Sequence, residues 1–226
     1  MNPVINFLSD LIFPNRCPCC NKLISWNKLV CEKCIAELKQ AQYCARCGNY
    51  KCICEEGIYN DSAFVLYEYQ GAAQSGILAY KSGENRNFLH YMSKEIALTL
   101  QQNNIKADYV IFAPMSRKSK IRRRFDHTKI MAKAIAKAAN CKTLDALACS
   151  NSIQTQHKLD AKMRKKNAEN ITIKNVYLED KTVIFCDDIT TTGSTMQRCC
   201  QLLKQQGAKT IYCAFGAATP INSKGN

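Results

Sequence analysis

The sequence predicts an α/β protein, a parallel sheet flanked by helices, with a small zinc-binding module at its amino end. Three observations predict it. Between residues 108 and 216 short apolar runs alternate with amphipathic stretches, the pattern of repeated βα units whose sheet is covered on both faces. Nine of the 15 cysteines fall between Cys17 and Cys54, several in pairs three residues apart. The apolar run "TVIFC" leads straight into Asp187-Asp188 and then into a string of small hydroxylated residues.

At 226 residues the chain is long enough to bury a sizeable core in one or two domains. Lys and Arg total 32 against 18 Asp and Glu, a formal charge of +14, which points to a polyanionic partner. No window holds the ~18 apolar residues that a membrane span needs. The start, "MNPVINFLSDLIFP", lacks a basic region and carries Asp10, so it does not read as a signal peptide. It reads as a short amphipathic helix, docked on the core or on a membrane or partner. A cytoplasmic, reducing compartment follows, in which paired cysteines favour metal over disulfides. The expected organisation is an amino-terminal helix and cysteine module over 1–60, an α/β domain over 61–218 and a loose tail over 219–226.

In chain order, the module comes first. Cys17-x-x-Cys20 and Cys31-x-x-Cys34 are spaced as zinc pairs, since two thiolates three residues apart can face one ion and four close a tetrahedron. Cys20 ends a turn and Cys31 opens the helical "CEKCIAELKQA", a treble-clef arrangement. Cys44-x-x-Cys47 and Cys52-x-Cys54 form a second group with an unusual one-residue gap, so one or two zinc ions are expected. Cys19 sits between better-spaced partners and is not expected to be a ligand. Cys141, Cys149, Cys186, Cys199, Cys200 and Cys213 lie in apolar patterns and read as buried thiols.

Next, "AFVLYEY" predicts a strand or hairpin, and "AAQSGILAYKSG" and "FLHYMSKEIALTLQQ" predict helices. "YVIFAP" is a buried strand. "HTKIMAKAIAKAA" is a helix with Ile130, Ala134, Ile135 and Ala138 on one face. "TVIFC" is a second buried strand. The helix "GSTMQRCCQLLKQQG" puts Met196, Cys199, Cys200 and Leu203 on one face and is stopped by Gly207. "KTIYCAFGAA" is a third strand.

The carboxylates Asp187 and Asp188 are expected at the carboxyl end of a parallel strand, where open α/β sheets bind ligands. Thr190, Thr191, Thr192, Gly193, Ser194 and Thr195 then supply backbone N–H groups, hydroxyls and a helix N-terminus, an anion cradle in which Gly193 allows close approach. A ligand wanting both parts is a ribose 5-phosphate unit, with phosphate on the threonine loop and hydroxyls on the aspartates.

That stretch resembles the phosphoribosyl-diphosphate (PRPP) motif of type I phosphoribosyltransferases. With a cysteine module ahead of it, the chain resembles the ComF family of competence proteins from about Phe13 to Phe215. "YKSGEN" is similar to a lysine- and glycine-bearing family segment, giving Lys81. "IFAPMSRKSKIRRRF" resembles the strand and turn that bind diphosphate, which assigns Pro114, Met115, Ser116 and Arg117 to PRPP. "QHKLDAKMRKKN" resembles a segment giving Gln156, Leu159, Arg164 and Asn167. Where the family usually reads Arg-Gly-Phe-Asn-Gln, this chain has Arg123-Arg124-Phe125-Asp126-His127, and Ile153 stands where a Thr is common.

The resemblance implies a role in natural transformation: handling incoming single-stranded DNA on the cytoplasmic side, alongside competence machinery at the inner membrane, with PRPP and Mg2+ bound by the transferase-type domain. The alternative it implies is an active transferase moving ribose 5-phosphate to a base, amine or nucleic-acid acceptor. Arg164 or Lys162 would then close over the diphosphate while Asp187 and Asp188 act at the ribose.

Charge marks a second site. Six of the eight residues from Arg117 to Arg124 are basic, including Arg122, Arg123 and Arg124. Lys129, Lys133 and Lys137 repeat along one helix face, and Lys158, Lys162, Arg164, Lys165 and Lys166 add a further cluster. Residues 117–174 hold 16 of the 32 basic residues, more than a diphosphate needs. A single-strand track with Trp26, Tyr43, Tyr50, Tyr59 or Phe125 as stacking platforms is the preferred reading, a solvated surface the other. Of the three histidines, His157 is the best placed to act as a base.

Overall fold

A computed structural model describes residues 14–44, 46, 58–116, 119–121, 125–149 and 168–219. The expected amino-terminal helix and the tail beyond residue 219 lie outside them.

Five parallel strands make the main sheet in the order β1-β7-β6-β2-β3: Ser62–Glu68, Thr210–Ala218, Thr182–Thr190, Tyr109–Phe112 and Lys142–Leu144. The central strand is β6, flanked by β2 and β7 in parallel register. Its alternate residues enter two separate cores, because successive side chains of a strand point to opposite faces. Ile184 and Cys186 pack with α2 (Gly71–Ser82), α3 (Asn87–Gln102) and α4 (His127–Ala138) through Ile77, Leu89, Met92, Met131 and Ile135. Val183 and Phe185 pack with α5 (Ser194–Gln205) through Met196, Cys199, Cys200 and Leu203. Two small strands, β4 (Leu147–Cys149) and β5 (Ile171–Ile173), pair antiparallel beside this sheet.

The strand-or-hairpin alternative at "AFVLYEY" resolves as the single strand β1, parallel to β7. The α5 face is as expected. The buried face of α4 differs: it carries Met131, Ala132, Ile135 and Ala136, whereas Ile130 and Ala134 are half-buried and Ala138 is exposed. Met131 and Ile135 each stand two residues from the exposed Lys133, about 200° around the helix, and so point away from it.

The cysteine module packs on the edge of this sheet. Its helix α1 (Glu32–Ala36) starts at Cys31, whose Sγ accepts a hydrogen bond from the Cys34 N–H at 3.4 Å. The Ala41 N–H donates to the Leu66 carbonyl at 3.0 Å and the Glu68 N–H to the Lys39 carbonyl at 2.9 Å, which pairs part of the β1 edge. Asn85 Nδ2 donates to the Arg16 carbonyl at 2.8 Å, and Cys17, Val30 and Cys34 are buried in the same core as Tyr67 and Phe88.

Candidate ribose-phosphate site and metal centre

The α5 N-terminus and the end of β6 enclose a cavity of about 240 Å3. Asp187, every residue from Thr190 to Thr195, and Pro114 line it, all expected from sequence. Gly193 precedes the helix at φ 72°, a left-handed conformation that glycine adopts without strain, and its carbonyl accepts the Gln197 N–H at 2.8 Å. Thr192 and Ser194 hydroxyls lie 2.9 Å apart. Thr190 is 4% exposed, and its Oγ1 finds no hydrogen-bond partner among the described residues. A buried hydroxyl without a partner is costly, so a ligand oxygen is the natural complement. Cys149, Ile171, Ile189, Met196 and Phe215 also line the cavity. Sequence reading missed them as site residues, since nothing distinguishes them from ordinary core.

The two carboxylates part company. Because β6 continues to Thr190, Asp187 shares the α5 face and enters the cavity, whereas Asp188 shares the opposite face and is buried. The expectation of both at one ribose assumed that the strand ended at Cys186. Three donors meet Asp188 Oδ2: Tyr80 Oη at 2.8 Å, Lys81 Nζ at 2.9 Å and His127 Nε2 at 3.1 Å. Burial disfavours its charged form, but Lys81 and His127 outweigh burial and hold the carboxyl well below the usual range. Asp187 experiences the reverse: burial, and the charge of Asp188 beside it, push its carboxyl well above the usual range. Tyr80 and His127 are the partners of Asp188 that sequence reasoning did not place here. The departure from the family's Gln to His127 was the available signal.

Of the remaining site residues, Met115 lines a neighbouring cavity and Ser116 is buried, its Oγ donating to Ser119 Oγ at 3.0 Å. Lys129 is half-buried, with Nζ 3.6 Å from Asp145, and Lys133 and Lys137 are exposed along α4. Arg117, Arg122, Arg123, Arg124, Lys162, Arg164, Lys165, Lys166 and His157 lie outside the described residues.

In the module, the Sγ atoms of Cys17, Cys20, Cys31 and Cys34 all lie within 4.8 Å of one another, Cys20 and Cys31 at 3.7 Å. A tetrahedral Zn–S site has edges of about 3.8 Å, so the four fit one zinc ion with small closure. Burial opposes ionisation of Cys17, but backbone N–H groups of Cys31, Cys19 and Cys20 outweigh it and lower the thiol to about 6. Cys19 stands outside the cluster, pushed up to about 12 by burial and neighbouring thiols. Cys44 is half-buried, whereas Cys47, Cys52 and Cys54 lie outside the described residues.

The sequence matches a phosphoribosyl transferase domain model over residues 130–223 and a double zinc ribbon domain model over residues 8–62. It is also 29% identical over 105 residues to the DNA utilization protein YhgH of Escherichia coli O6:H1, and 29% identical to YhgH of Shigella flexneri. Neither family model covers half of the chain; in chain order they describe a double zinc ribbon followed by a phosphoribosyl transferase domain. The alignments with YhgH each span 46% of this chain and 46% of the relative, so the chain spans about half the length of the curated relatives it matches. Solved structures similar to it include Bacillus subtilis glutamine PRPP amidotransferase, at 19% identity and TM-score 0.41 over 62% of this chain and 27% of that one. Another is a purine phosphoribosyltransferase from Pyrococcus horikoshii, at 17% identity and TM-score 0.36 over 58% of this chain and 82% of that one.

Proposed function

We propose that this protein binds PRPP, together with Mg2+, in the Thr190–Thr195 cavity and handles incoming single-stranded DNA during natural transformation, on the cytoplasmic side of the membrane. The observation that carries the ligand reading is the Thr190 hydroxyl, which has no hydrogen-bond partner among the described residues and lines the cavity with further threonines at a helix N-terminus and with Asp187. The phosphate sits against the N–H groups and hydroxyls of 190–195. Asp187, whose carboxyl is pushed up by burial and by the charge of Asp188, meets either a ribose hydroxyl or Mg2+. The DNA reading is supported by the name of the YhgH relatives and by the lysines of α4. Among the described residues no helix is long and apolar enough to cross a membrane.

A second reading, transfer of ribose 5-phosphate to an acceptor, is favoured by a further cavity that adjoins the first. Diphosphate release from PRPP in the presence of Mg2+ and candidate bases, amines or oligonucleotides separates the two.

Ligand binding is tested by thermal shift. PRPP at 100 times its Kd is expected to stabilise the fold by about 2.7 kcal/mol, a rise of roughly 5–10 °C in Tm for a chain of this size. Asp187→Asn is expected to lose most of that rise with little change in Tm without ligand, because its carboxyl is already biased to the neutral form. A variant that responds to PRPP as the parent does would sink the assignment.

A further inference from the structure

The helices α3 and α4 pack side by side on one face of the sheet, α3 over β1 and β7 and α4 over β2, β3 and β6. They run in the same direction, because contacts join them at matching ends. The Arg86 guanidinium lies over the Phe125 ring, 4.1 Å from its centre, and Gln101 Nε2 donates to the Ala138 carbonyl at 3.0 Å. At about 100° per residue, Arg86, His90, Lys94 and Gln101 share one flank of α3, within roughly 80° of one another. Both ends of that flank meet α4 or the segment leading into it, so the exposed His90 and Lys94 border the groove between the helices. Across the groove, Lys129 leans away to Asp145 beside β3, whereas Ile130 and Ala134 lie on the flank toward α3, and Lys133 and Lys137 face outward.

The charge on this face has no local complement. Together α3 and α4 hold one acid, Glu95. It is half-buried on the other flank of α3, one turn from Tyr91, which stacks on Tyr67 of β1. Among the described residues, Arg86, Lys94, Lys133 and Lys137 enter no ion pair. Like charges gathered on one face repel, and a polyanion relieves that repulsion.

Arg86 offers more than charge. Its neighbours fasten its backbone to the cysteine module on both sides: Asn85 Nδ2 donates to the Arg16 carbonyl at 2.8 Å, and Asn87 Nδ2 to Asn15 Oδ1 at 3.0 Å. Asn85 Oδ1 also accepts the Asn87 N–H at 2.9 Å, which closes the turn around Arg86. A guanidinium is planar and stacks on aromatic rings. Phe125 backs one side of this one, and Arg86 is otherwise exposed. Unpaired nucleobases stack on such planes.

We infer that the groove between α3 and α4 takes a single DNA strand, with one base stacked on the outer face of Arg86 and phosphates on Lys94, Lys133 and Lys137. The inference rests on the DNA reading above and adds to it a base platform and a second row of cations, on α3. Stacking of this kind is tolerant of sequence, because every base has a π-face. The platform selects for bases that are free to unstack, as in a single strand.

The test titrates the zinc-loaded full chain with a labelled oligothymidylate, with an abasic strand of the same length and with PRPP. The parent is expected to bind the oligothymidylate about tenfold more tightly than the abasic strand. Arg86→Lys keeps the charge and removes the plane. It should weaken the oligothymidylate about tenfold while leaving the abasic strand and the salt slope unchanged. Lys94→Met should weaken both strands alike and flatten the slope by about 0.7. PRPP affinity should stay the same in both variants. Equal binding of the two strands by the parent overturns the inference and makes the groove a bare phosphate surface; that comparison needs no variant to fold. Parent-like binding of the oligothymidylate by Arg86→Lys also overturns it. So does a loss of PRPP affinity in Arg86→Lys, which would mean that Arg86 acts through Phe125 and His127 on Asp188. If the parent binds no oligothymidylate, the DNA reading fails and this inference fails with it.

Discussion

A carboxylate that receives three donors on one oxygen behaves unlike one that faces a cavity, and Asp187 and Asp188 are adjacent examples. Replacing Asp188 by Asn keeps the shape but removes the charge that Lys81 and His127 face. Breaking a buried pair in this way costs about 3–5 kcal/mol, which lowers Tm by roughly 6–20 °C in a chain of this length. The pH dependence follows from the direction of the shift. Asp188 is held below its unfolded value, so its stabilisation is complete above about pH 5 and drains away as pH falls below the ordinary Asp range near 3.9. The Tm gap between parent and Asp188→Asn should therefore be full at pH 7 and narrow on acidification. A gap that persists undiminished at pH 3 rules out the charge as its source. Asp187 carries the opposite sign: its raised carboxyl favours the neutral form in the fold, so Asp187→Asn costs little at neutral pH. None of this division was legible in the dipeptide itself. It depends on how far β6 runs before the loop begins.

At the scale of elements, long apolar runs were legible and short pieces were not. The strands β2, β6 and β7 stand out as continuous apolar stretches, the expected pattern for strands buried on both faces. The three-residue strands β3, β4 and β5 are too short to show any period, yet β4 and β5 supply Cys149 and Ile171 to the cavity wall. The cluster of Cys17, Cys20, Cys31 and Cys34 was legible because metal coordination constrains spacing directly, and Cys19 falls outside it for the same reason. Those thiols do more than close a local turn, since Cys17 and Cys34 are buried in the core that also holds Tyr67 and Phe88. Metal binding supplies folding energy to so small a module. Freshly purified, reduced protein should contain at least one zinc by elemental analysis. Cys34→Ser should lower zinc content and Tm together, whereas Cys19→Ser should leave zinc content unchanged. Loss of zinc on Cys19→Ser with retention on Cys34→Ser would reverse the ligand assignment.

Across the whole molecule the charge is unevenly spread, and α4 shows where part of it goes. The helix begins at His127, against Asp188, and its exposed lysines lead away from that end. From Lys129 to Lys137 the stripe covers about 12 Å of helix axis, more than one diphosphate spans. A strand laid along it would therefore meet cations beyond the reach of a ligand seated in the Thr190–Thr195 cavity, and the two should bind together. Each phosphate neutralised on single-stranded nucleic acid contributes a slope of about −0.7 in log affinity against log salt. A track using roughly four to six cations predicts a slope near −3 to −4 for an oligothymidylate. Lys133→Glu with Lys137→Glu should weaken the oligonucleotide and flatten that slope by one to two units, about 0.7 for each contact removed. PRPP affinity should stay unchanged, because neither residue lines the cavity. Competition points the same way: saturating PRPP should leave the oligonucleotide bound, seen as unchanged anisotropy of a labelled strand. Displacement of the strand by PRPP at constant ionic strength would mean that the DNA path crosses the ribose-phosphate cavity rather than running down α4. A flat salt response in the parent would instead make the lysine stripe a solvated surface and leave the cavity as the chain's only anion site under test.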